Sequence, residues 1–178
     1  MYIHNDDTIY APATVPGTGA ISVIRISGPD ALTIADKVIT CRHGSISDAA
    51  GYTIRFGTAV SPSGETIDEV LASVFHAPHS YTGENSVEIS CHASSFIVTT
   101  LMGMLSAAGA RAAEPGEFTK RAFLNGRIDL TKAEAIMDII DAEPEVDKED
   151  AIKLEHIKGK VEFKNVNFSF DKTKKVLH

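Results

Sequence analysis

Three charged residues, Arg25, Glu88 and Arg127, stand where the surrounding pattern offers them a chemical role. Arg25 interrupts an apolar run over residues 20–27. A cation in such a strand needs an anionic partner or a route to water at the end of the sheet. It is therefore an internal ion pair, a snorkelling side chain or an anion contact. Glu88 belongs to residues 86–92, in which Val87, Ile89 and Cys91 alternate with Ser86, Glu88 and Ser90. The second of those faces is either solvent or a polar site. Arg127 follows Asn125-Gly126 in an elbow between two helical stretches, with Asp129 close behind. An Arg on a rigid elbow is either an anion or ligand contact or a solvated loop residue.

Other chemistries find less support. His76, His79, Cys91 and His92 are zinc-ligand types, but their spacing matches no standard pattern, and neighbours on a strand point to opposite faces. A Ser/His/Asp hydrolase would need a nucleophile elbow, which the chain lacks. Gly17 and Gly19 invite a dinucleotide loop, yet position 22 is Ser and a strand rather than a helix follows. No G-x-x-x-x-G-K-[ST] occurs, so the chain has no GTP or ATP phosphate loop.

The elements that must hold these residues can be read from periodicity. Residues 9–13 form a short strand and residues 20–27 a central one, apolar on both faces. Ser27-Gly28-Pro29-Asp30 opens a helix running to about Ile39. Residues 52–60 and 66–76 flank the turn Ser61-Pro62-Ser63-Gly64 as a hairpin. Residues 77–85 read as an exposed loop over the sheet, residues 86–92 as another strand. Ser94 or Ser95 caps a helix from Phe96 through Met104, and residues 108–114 cross back. The helix over residues 117–125 stops at Asn125-Gly126. A second helix starts at Thr131, with Thr131 and Glu134 as a capping box and Ile136, Ile139 and Ile140 on one face.

Bulk properties narrow the class. The 178 residues are 43% hydrophobic, enough for one compact domain with an appendage. No apolar run approaches the roughly 18 residues of a membrane span, and the polar, acidic start is unlike a signal peptide. Cys41 and Cys91 make no disulfide scaffold, so free thiols and a cytoplasmic location are expected. Residues 1–142 carry 16 acidic and 9 basic side chains, residues 143–178 eight of each. A domain with that acidic excess gains no broad counterion-release energy from a phosphate backbone, which argues against a direct grip on RNA.

Three blocks in order, residues 14–31 (TVPGTGAISVIRISGPDA), 79–97 (HSYTGENSVEISCHASSFI) and 115–136 (PGEFTKRAFLNGRIDLTKAEAI), closely resemble the N-terminal domain of the MnmE (TrmE) family of tRNA-modifying GTPases. The resemblance covers about residues 5–141. It implies an α+β domain, a mixed sheet with packed helices, similar to the folate-binding fold of the glycine-cleavage T-protein. It further implies a homodimer that binds a tetrahydrofolate derivative, 5-formyltetrahydrofolate, at the positions matching Arg25, Glu88 and Arg127. A flavoprotein partner, MnmG, is implied as well, with tRNA engaged only indirectly and no membrane. On this resemblance Glu88 suits the adjacent N–H donors of a pterin, and the arginines suit the anionic tail. The family usually has Gly where this chain has Ala93. If that glycine serves positive φ or close approach, Ala93 weakens binding. A structural dimerisation fragment without ligand binding, and a non-functional fusion product, are the alternatives.

Residues 143–178 break from this pattern. A charged stretch beginning Glu143-Pro144 reads as linker or exposed helix. Alternation at Val161 and Phe163, and again at Val166, Phe168 and Phe170, then predicts a hairpin. It is similar to the first strands of an ABC-transporter ATPase domain, in which Phe170 falls where that family sets an aromatic against adenine. Two strands alone are expected to be marginal unless they pair with another edge.

Overall fold

A computed structural model describes residues 7–15, 17, 19–141, 168–171 and 174–177, with side chains described as far as Met137. The chain divides into two compact units, residues 1–142 and 143–178.

In the first unit the elements run β1 (Ile9–Pro12), β2 (Ile21–Ser27), α1 (Ala31–Val38), β3 (Ile39–Cys41), β4 (Thr53–Val60), β5 (Thr66–Phe75), β6 (Ser86–His92), α2 (Ser95–Ala107), β7 (Arg111–Ala112), α3 (Glu117–Leu124) and α4 (Leu130–Asp141). The seven strands form one mixed sheet in the order β3-β4-β5-β6-β2-β1-β7. Every pairing is antiparallel except β1 with β7, which is parallel. A mixed sheet with four helices among the described residues agrees with the α+β class that the resemblance implies.

Alternation decides which face is buried. Ile24 and Ile26 of β2, Val87 and Ile89 of β6, and Val70, Ala72 and Val74 of β5 pack against Ile34, Ala35 and Val38 of α1 and Leu101 and Leu105 of α2. Burying an aliphatic side chain of this size stabilises by about 1.5–3 kcal/mol each before entropy is counted. The other face is largely uncovered. Ile21, Ile54, Phe56 and Leu71 remain 41–64% exposed. β2 is central as expected, but its second apolar face has no layer packed along its whole length.

Two local expectations change. The N-terminus of α4 is capped by Asp129, whose Oδ1 accepts the Lys132 amide at 2.8 Å, not by a Thr131–Glu134 box. A carboxylate one position ahead of the first turn satisfies a free amide and meets the positive helix end. Residues 77–85 are an exposed loop only in part: Ala77, Pro78, His79 and Tyr81 are exposed, but Ser80 and Thr82 are buried. The side chains of Ile139 and Ile140 lie outside the described residues.

In the second unit, β8 (Phe168–Asp171) pairs antiparallel with β9 (Lys174–Leu177). The predicted hairpin placed Phe168 in a second strand. The described pairing joins that strand to a segment after it, Lys174–Leu177. Residues 161–167, the linker and the Phe170 side chain lie outside the described residues.

Candidate functional site

The β2–β6 register sets Arg25 directly across from Glu88. Arg25 Nε donates to Glu88 Oε1 at 2.9 Å, and Arg25 Nη2 lies 2.8 Å from the same oxygen. Both side chains are about a quarter exposed. The guanidinium carbon also lies 4.9 Å from the ring centre of Tyr81 and 5.7 Å from that of Phe118. Arg25 is thus held by one carboxylate and two aromatic rings. Each partly desolvated cation–ring contact stabilises by about 0.5–2 kcal/mol. Among the described residues no donor reaches Glu88 Oε2, so the carboxylate keeps acceptor capacity for a ligand.

Tyr81 is delivered by residues 77–85, and four hydrogen bonds to α3 and the elbow hold that segment, one of them between the Tyr81 and Thr119 hydroxyls at 3.2 Å. Arg121 Nη1 donates to Glu84 Oε1 at 3.2 Å, Asn125 Nδ2 to the Thr82 carbonyl at 2.7 Å, and Arg127 Nε to the Ser80 carbonyl at 3.0 Å. From beneath, the Ser27 hydroxyl donates to Glu84 Oε2 at 2.6 Å. Its only proton is then used, so at the 2.6 Å Ser27–Thr82 contact the Thr82 hydroxyl is the donor. These partners explain the burial: a polar segment is internal only when its groups are met.

Arg127 therefore lies beside the segment that carries Tyr81 and shares no hydrogen bond or ion pair with Arg25 or Glu88. Gly83 makes the fit possible. Its φ is +80°, and a Cβ there would sit 3.0 Å from Asn125 Cβ and 3.1 Å from Arg127 Cγ. Arg127 and Asp129 do not act as a pair, since one bonds Ser80 and the other caps α4.

Arg121 escapes the sequence reading. It is 2% exposed and donates to the Asp7 carbonyl, Asp7 Oδ1, Glu84 and Glu117. Its position three residues after Phe118 and four after Glu117, on the buried stripe of α3, is the available signal. Arg111 joins the network through Asp7 and Glu117. Burial raises the Glu117 carboxyl. Hydrogen bonds from Arg111, the Glu114 amide and Arg121 outweigh that and hold it down at about 2. The Arg111 hydrogen bond leads in lowering Asp7, opposed by burial and reinforced by Arg121.

Two further positions bear on earlier expectations. Tyr52 is the one non-glycine residue with positive φ among the described residues, so Ala93 occupies ordinary backbone and needs no glycine-specific φ. Its side chain lines a cavity of about 290 Å³ with Thr14, Ser22, Ser95 and Met102, apart from the Arg25–Glu88 pair. Burial pushes the Cys91 thiol up to about 11, with Asp68 adding to the effect, so it is a poor nucleophile or metal ligand. Among the described residues no cluster of three or more His, Cys, Asp or Glu could hold a metal ion. No described helix is long and apolar enough to cross a membrane.

Residues 8–127 match the family described as GTP-binding protein TrmE N-terminus, and the chain belongs to that family. It is 49% identical over 135 residues to the tRNA modification GTPase MnmE of Parabacteroides distasonis, covering 75% of this chain and 29% of that protein. The MnmE of Symbiobacterium thermophilum is 46% identical over 155 residues, 86% of this chain and 34% of that protein. That of Bacteroides fragilis is 52% identical over 138 residues, covering 76% and 29%. The chain thus spans about a third of the length of the relatives it matches.

Proposed function

We propose that residues 1–142 are a tetrahydrofolate-binding, homodimer-forming module serving tRNA wobble-uridine modification, with the flavoprotein MnmG as its partner and tRNA engaged indirectly. The observation that carries this reading is the Arg25–Glu88 pair beneath Tyr81 and Phe118, with Arg127 on the adjoining elbow. The residues fit the ligand chemically. Glu88 retains one oxygen for the adjacent N–H donors of a pterin, and the rings of Tyr81 and Phe118 suit a flat heterocycle. Arg127 uses Nε on Ser80 and keeps its Nη groups for an anionic tail.

When bound, the folate supplies a one-carbon unit. This chain's part is to hold it: Glu88 orients the heterocycle, while Arg25 fixes the Glu88 carboxylate in place. With no phosphate loop in the sequence, GTP hydrolysis is not assigned to these residues. The chain alone is expected to bind without turnover. The exposed Ile54, Phe56 and Leu71 support dimerisation, because apolar groups grouped on one sheet face gain from being covered. A fold akin to the glycine-cleavage T-protein and a cytoplasmic site of action belong to the same proposal.

Calorimetric titration with 5-formyltetrahydrofolate, repeated with unformylated tetrahydrofolate, tests it. Saturable binding that falls at least about tenfold in Glu88→Gln is the expected result, since Gln has a single acceptor oxygen and cannot serve Arg25 and the ligand at once as the carboxylate does. Equal affinity in wild type and Glu88→Gln would end the reading.

A further inference from the structure

Resting on that folate-binding reading, we propose that Asn125 and Gly83 are positioning residues that set the guanidinium of Arg127 for the ligand. Of the four hydrogen bonds that join α3 and its elbow to the segment ahead of β6, one links the Thr119 and Tyr81 hydroxyls and three run antiparallel: Arg121 to Glu84, Asn125 to Thr82, Arg127 to Ser80. The outer two involve arginines, long and flexible. Asn125 is the short middle tie, and its 2.7 Å bond fixes the backbone of Thr82 relative to the elbow. That in turn places the Ser80 carbonyl where Arg127 Nε meets it at 3.0 Å. Gly83 then allows the segment to lie against the Arg127 stem, with Cγ and Cδ only 3.1 and 3.5 Å from where a Cβ would be.

A guanidinium held through Nε has its plane set before the ligand arrives. An unheld Arg must be ordered on binding, which weakens affinity by roughly 2- to 12-fold for one rotamer-rich side chain. Asn125→Asp keeps the shape but turns the donor into an acceptor facing the Thr82 carbonyl, so the tie becomes a repulsion. Gly83→Ala leaves Asn125 intact and instead drives a methyl group toward the Asn125 Cβ and the Arg127 stem, at a φ that L-residues rarely adopt. Asn125 is exposed apart from its bonded amide, so its replacement spares the core.

The test is titration of wild type, Asn125→Asp, Gly83→Ala, Arg127→Ala and the Asn125→Asp/Arg127→Ala double variant with 5-formyltetrahydrofolate, alongside thermal melts. Asn125→Asp and Gly83→Ala should each weaken binding about tenfold while melting within about 5 °C of wild type. In the Arg127→Ala background, Asn125→Asp should add less than about twofold, because the residue it positions is gone. A purely structural role would lower the melt without this coupling. Wild-type affinity in Asn125→Asp, or an equal loss in both backgrounds, overturns the inference while leaving Glu88-dependent binding intact. Absence of binding by the wild-type chain overturns it together with the reading beneath it.

Discussion

Replacing Glu117 by Gln should destabilise the domain in a way that disappears in acid. Glu117 is 11% exposed and accepts from Arg111 Nη2 at 2.7 Å and from buried Arg121 Nη2 at 3.0 Å. Its carboxyl is held at about 2 against an ordinary 4.5. That difference corresponds to about 3 kcal/mol of preference for the charged form. Arg111 is 46% exposed, so water screens its share and about 2–3 kcal/mol at neutral pH is the reasonable expectation. A depressed carboxyl stabilises fully above the unfolded-state value near 4.5 and loses that contribution as pH falls toward 2. Protonation of the unfolded chain alone removes about 1.4 kcal/mol by pH 3.5. Urea unfolding of both proteins at pH 7, 5 and 3.5 is the assay. The gap between them should stay level from pH 7 to 5 and narrow by about 1 kcal/mol or more at pH 3.5. A gap under about 0.5 kcal/mol at pH 7, or one that fails to narrow, would show that Asp7 and Glu84 already satisfy Arg121 without Glu117.

Gly28→Ala should cost about 3 kcal/mol or more, because φ is +139° and the new Cβ would lie 2.6 Å from Thr8 Cα and 2.7 Å from the Asp7 carbonyl oxygen, itself an acceptor for Arg121. Its melting temperature should fall by about 6 °C or more; a drop under about 2 °C would mean that the chain ahead of β1 yields freely. Asp129→Ala should lose about 1 kcal/mol of stability, whereas Thr131→Ala should change it by under about 0.5 kcal/mol. The reverse order in urea unfolding would restore Thr131 as the cap.

What the sequence revealed and what it hid divide along sequence separation. Strands β4, β5 and β6, helix α1 and the stop at Gly126 follow from patterns within about ten residues, and they were legible. Arg25 and Glu88 were each legible as odd residues in their own strands, but their pairing spans 63 positions. No local period contains that register. Arg121 was hidden for a similar reason. A charged residue on a short helix reads as solvated, and its acceptors come from residues 7, 84 and 117. Residues 77–85 misled by composition at Ser80 and Thr82 alone: a polar stretch looks exposed throughout until Ser27, Asn125 and Arg127 are known to meet those groups. Yet the hidden pairing depends on the legible alternation. Ile24 and Ile26 must face the core, and so must Val87 and Ile89, which fixes the parity of both strands. A one-residue slip of either strand would turn its charged residue into the packed face and strand an apolar one outside. The core thereby forces Arg25 and Glu88 onto the same open face. Substitutions that weaken the alternation in β2 or β6 should accordingly damage the site before they unfold the sheet.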